Sequence, residues 1–155
     1  MPVLKSAIDA SPTSDLYQTD YHRWLLDNAA LLRTGRLSEI DAANIAEELE
    51  DMGRSEARAL GSHLEVLLLH LLKWQFQPAQ QSSGWRGSIL NARYAISDLL
   101  TDSPSLRNRV PELVIKHYPR ACANAANETG LPGTAFPPDC PYVLEALLDI
   151  DFWPG

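Results

Sequence analysis

The chain has 155 residues, about the length of one domain with one substantial core. Its 45% apolar and 21% charged residues exclude a disordered polymer. Its net charge of −7 excludes general nucleic-acid binding, which needs a cationic face to neutralise phosphates.

Helical punctuation recurs along the chain and strand signals are scarce. Residues 1–14 read as a flexible lead-in, and residues 15–155 as a single helical domain. Thr19 or Asp20 caps a first helix that carries Tyr21, Leu25, Ala29 and Leu32 at helical spacing and ends at Gly35. Ser38 with Asp41 makes a box-like start for a second helix, which Gly53 ends. Ser55 opens a long third helix, closed by Pro78.

Ser82 or Ser83 starts a fourth helix bearing Trp85, Ile89, Ala92, Ile96 and Leu99. Ser103-Pro104 forms a cap and first turn for the next segment, which Pro111 and Pro119 kink and Gly130 ends. After a proline-rich loop, Cys140-Pro141 begins a short last helix through Leu148. The expected fold is all-α, a compact bundle of five to seven helices.

Two cysteines, Cys122 and Cys140, are too few for a disulfide scaffold. The N-terminal stretch lacks the apolar core of a secretory signal. No apolar run approaches the ~20 residues that span a bilayer, and the longest, residues 66–72, is broken by His70. A cytoplasmic location follows, with no membrane and no nucleic-acid partner.

Projection onto a helical wheel sharpens the polar residues. Ile45, Leu49 and Met52 form the apolar stripe of the second helix. Glu47, Glu50 and Asp51 belong to a solvated face, whereas Glu48 is aimed toward the core and needs a partner, because an unpaired buried charge costs several kcal/mol. In the third helix Leu60, Leu64, Leu67, Leu68 and Leu71 share one face, and His63, His70, Trp74 and Gln77 line a flank. Lys73 lies on the far side, its stem packed and its amine reaching to water or a carboxylate.

Catalytic motifs are missing from the sequence. It has no nucleophile elbow, phosphate loop or dinucleotide fingerprint. His63 and His70 stand about 10.5 Å apart on a helix, too far for one ion, and no Glu-x-x-His pair occurs, so neither metal nor cofactor is expected. Cys140, at a helix start, reads as a small buried hydrophobe rather than a reactive thiol. Trp85 and Arg86 are candidates for a stacking and anion-binding pair, with a core Trp beside an exposed Arg as the plainer account.

In order along the chain, "YHRWLLDNAALLRTGRLSEIDAANIAEELEDMGRSE", "LLLHLLKWQFQP", "ETGLP", "FPPDCP" and "DFWP" resemble the bacterial family called domain of unknown function 29. The resemblance runs over residues 15–154. It implies a compact all-helical bacterial protein and supplies no reaction. The family-like positions include Asp41, Glu47, Glu48, His70, Lys73, Trp74, Gln77 and Pro78.

Two functions remain. The favoured one is a non-enzymatic protein-interaction or regulatory module, whose partner is another protein. The alternative is an enzyme or a small-ligand or metal-binding protein with a pocket between the second and third helices. There Glu48, His70 and Lys73 would be the catalytic candidates, and Trp74, Gln77, Trp85 and Arg86 the binding candidates. Neither reading fixes an oligomeric state.

Overall fold

The computed structural model describes residues 13–155, and every regular element among them is helical. The six α-helices are α1 (Ser14–Thr19), α2 (Tyr21–Arg33), α3 (Ala42–Phe76), α4 (Ser83–Asp102), α5 (Val110–Thr129) and α6 (Leu144–Leu148). Three short 3-10 turns, Pro78–Gln80, Pro104–Arg109 and Gly133–Ala135, join them. The fold is all-α. All but the last two residues of the expected lead-in lie outside the described residues, and Ser14 already opens α1.

Several boundaries follow local chemistry. Asp20 caps α2 by accepting from the Arg23 N–H, and Ser82 caps α4 by accepting from the Trp85 N–H. After α2, Gly35 adopts φ 73°, and the Arg36 and Gly35 N–H groups return to the carbonyls of Leu31 and Leu32, closing a Schellman turn. Gly130 ends α5 at φ 75° in the same left-handed region. Pro111 falls in the first turn of α5, where its missing N–H is harmless, so only Pro119 interrupts the helical ladder.

Three expected boundaries are corrected. Gly53 does not end a helix: α3 runs unbroken for 35 residues through it. An interior glycine costs only about 1 kcal/mol against alanine, and the good helix formers around Gly53 carry it. The Ser38 start moves to Ala42, with the Asp41 carbonyl accepting the first helical bond from Ile45. The last helix begins at Leu144, four residues after Cys140.

Packing distinguishes two units within the span read from sequence as one domain, divided between Gly53 and Arg54. In the first, α1 and α2 pack together and the opening turns of α3 complete the unit. Trp24 is its one fully buried apolar residue among those described. In the second, Leu60, Leu64, Leu67, Leu68, Leu71 and Leu72 of α3 are completely buried, with Ile89 and Ile96 of α4, Val110 and Ala121 of α5, and Leu147 of α6 in the same core. Each such leucine contributes roughly 1.5–3 kcal/mol by leaving water. Val66, on another side of the same helix, faces solvent.

Candidate functional site

In the first unit, polar side chains supply the order that a thin apolar core cannot. The Trp24 indole Nε1–H donates to Asp41 Oδ2 at 2.9 Å, and Asn44 Nδ2 donates to the same oxygen at 2.7 Å. Asn28 accepts from the Asp41 N–H and donates to the Trp24 carbonyl. Asp41 is only 5% exposed, so these bonds replace its lost water.

Glu48 has the partners its helical position demands, but they are phenols. Tyr17 and Tyr21 each donate a hydroxyl to one carboxylate oxygen at 2.6 Å. Hydrogen bonding to the carboxylate, with some desolvation, pushes the Tyr17 hydroxyl up to about 12 and raises Tyr21 as well. Tyr17 meets Trp24 edge-on at 4.8 Å, and Tyr21 stacks on the same indole at 5.8 Å. Glu48 is thus the clip that fastens α1 and α2 to the start of α3.

Beside this clip lies a shallow apolar groove of about 170 Å³, floored by Trp24 and lined by Leu25, Leu32, Ile45, Leu49 and Met52. The stripe of α3 that the sequence places against a core is uncovered here: Leu49 is 62% exposed and Met52 65%. Leu26 and Leu37 of the same unit are also exposed. Charge is equally uneven. Residues 1–53 hold ten Asp and Glu against four Lys and Arg, a net −6, while residues 54–155 hold ten against nine.

The remaining sequence candidates sit in the second unit. Lys73 is 7% exposed; its ammonium donates to Glu128 Oε2 at 2.7 Å and lies 4.6 Å from the Trp85 ring. Arg86 lies over Trp153, at 4.5 Å, and Trp153 in turn packs on Trp74 at 4.9 Å. Gln77 makes a long contact to the Thr129 carbonyl. His70 is half-buried and bonded through Nδ1 to the Val66 carbonyl one turn back. These side chains tie α3 to α4, α5 and the C-terminal residues.

Glu48 and His70, expected on two different helices, both belong to α3, twenty-two positions apart. Among the described residues, no group of three or more His, Cys, Asp or Glu could hold a metal ion, and no helix is long and apolar enough to cross a membrane.

Two residues outside the sequence-derived site candidates, Arg93 and His117, carry much of the second unit. Arg93 is buried and donates to the carbonyls of Ala146, Leu147 and Phe152, satisfying the C-terminal end of α6. Desolvation lowers its pKa from the usual guanidinium value. Its place among Ile89, Ala92 and Ile96 on the apolar face of α4 was the available signal. His117 binds Glu65 at 2.7 Å and stands so close to Gly61 that a Cβ there would meet its ring at 2.5 Å.

No curated protein and no solved structure matches the chain. One family model does, described as domain of unknown function DUF29, over residues 16–153.

Proposed function

The chain belongs to this DUF29 family, nearly the whole of it lying within the match, and from its own geometry we propose that it is a non-enzymatic interaction module of the bacterial cytoplasm. Its acidic N-terminal unit takes the apolar face of a basic amphipathic helix from a partner protein. The carrying observation is the uncovered stripe of Leu49 and Met52 beside the Trp24 groove, in a segment of net charge −6. An amphipathic helix is recognised by such grooves through apolar anchors one turn apart, and acidic surroundings favour a cationic opposite face.

Two further features support this reading. The groove is nearly devoid of polar surface, and Glu48 at its edge already accepts two phenolic hydrogen bonds, which leaves it poorly placed as a general base. The sequence also lacks catalytic motifs.

Affinity capture from native bacterial lysate tests the proposal, with the wild-type chain and a Leu49→Gln/Met52→Gln variant as parallel baits. The expected result is a protein held by the wild type, lost from the variant and loosened by salt. Equal capture by both baits, or repeated recovery of the wild type alone under gentle conditions, overturns it.

A further inference from the structure

The second unit holds a cleft of about 470 Å³ between α5, the loop after residue 136 and α6, within the range of about 300–1,000 Å³ typical of small-ligand sites. Most of its wall is apolar, formed by residues such as Val110, Val114, Leu144 and Leu147. The few polar side chains share one character: none has a proton left to give.

Each side-chain donor is committed elsewhere. Tyr118 donates its hydroxyl to the Pro137 carbonyl at 2.7 Å, Tyr142 to Gln75 Oε1 at 2.8 Å, and the Cys140 thiol to the Tyr142 carbonyl at 3.6 Å. Burial raises the Cys140 thiol and both phenols, so all three keep those protons at neutral pH. Pro111, Pro119 and Pro138 line the cleft without a backbone N–H. Pro119 also withholds the helical donor from the Ile115 carbonyl, and Ile115 stands exposed at the mouth. Among the described lining residues none is Lys, Arg or His, while Asp139 brings a carboxylate that no other described residue bonds.

We propose that this cleft is a binding site for a small organic amine: an apolar body enters between α5 and α6, and the ammonium head meets Asp139, the Ile115 carbonyl and the aromatic rings of Tyr118 and Tyr142. An ammonium supplies the donors that the lining side chains lack, and electron-rich rings favour a cation. A carboxylate of the same size would find no donor side chain and would face Asp139. The site is independent of the groove in the first unit, so either can fail without the other.

The test titrates the full-length protein with three probes of equal chain length, n-hexylammonium, 1-hexanol and hexanoate, following backbone amide shifts by NMR. Saturable shifts centred on Val114, Tyr118 and Tyr142 are expected, with hexylammonium bound roughly tenfold more tightly than hexanoate and hexanol between them. Asp139 is exposed, so Asp139→Asn should leave the fold and hexanol binding intact and bring hexylammonium down to the level of hexanol. Hexanoate binding as well as the amine, shifts centred elsewhere, the absence of saturable binding, or an amine preference that survives Asp139→Asn each overturns the proposal.

Discussion

The two units bury opposite kinds of residue. The first encloses Asn28 and Asp41 around a single tryptophan and leaves Leu26, Leu37, Leu49 and Met52 in water. The second encloses a leucine-rich core and seats even its cations, Lys73 and Arg93, under aromatic rings and carbonyls. The same helix serves both, since α3 is acidic and uncovered at its start and apolar and enclosed toward its end. Burial is therefore uneven along α3: its apolar side chains stand exposed at Leu49 and Met52 and enclosed at Leu60, Leu64, Leu67, Leu68, Leu71 and Leu72.

That contrast can be broken most severely from the leucine side. Leu68→Ala removes a fully buried side chain from the second core, and a loss of about 2–5 kcal/mol is expected from denaturant unfolding. A loss under 1 kcal/mol would mean a loosely packed core and would dissolve the distinction. In the first unit the equivalent cut is polar. Trp24→Phe keeps the ring but deletes the donor to buried Asp41, with an expected cost of about 1–3 kcal/mol for leaving that acceptor short of a partner. If Trp24→Phe were neutral, aromatic packing rather than the hydrogen bond would be holding the unit.

How much of this was legible in the sequence depends on the distance over which each signal acts. Period and caps are local, so the buried leucine face, the Ser82 cap and the Gly130 stop read correctly. Gly53 misled because a terminating glycine and an interior one are the same letter; they differ in φ, which is positive at Gly35 and Gly130 and not at Gly53. Periodicity showed that Ile45, Leu49 and Met52 share a face, yet it says nothing about whether anything covers that face. Burial arguments likewise required a partner for Glu48 without naming Tyr17 and Tyr21. Lys73 with Trp85 and Arg93 with the end of α6 are pairings across distant elements, visible only once the helices are packed.

The tyrosine clip gives a pH-dependent handle on the first unit. The Tyr17 hydroxyl is held above its ordinary value of 10.0, at about 12, and Tyr21 is raised with it. A group that holds its proton more tightly when folded adds stability that is complete below pH 10 and lost as pH rises toward 12, because the unfolded chain ionises first. Tyrosinate absorbance should therefore show the Tyr17 titration late in wild type and nearer pH 10 in Glu48→Gln. An unchanged titration in the variant would remove Glu48 from the clip.

The smallest expected effect on stability is the most informative about function. Leu49 and Met52 are solvent-facing helical residues, and glutamine has a helix propensity close to theirs, so Leu49→Gln/Met52→Gln should alter unfolding by no more than about 0.5 kcal/mol. A near-zero change in stability together with lost partner capture separates the two uses of α3. A loss above about 1 kcal/mol would show instead that Leu49 and Met52 belong to the fold, the scale on which a buried apolar contact registers.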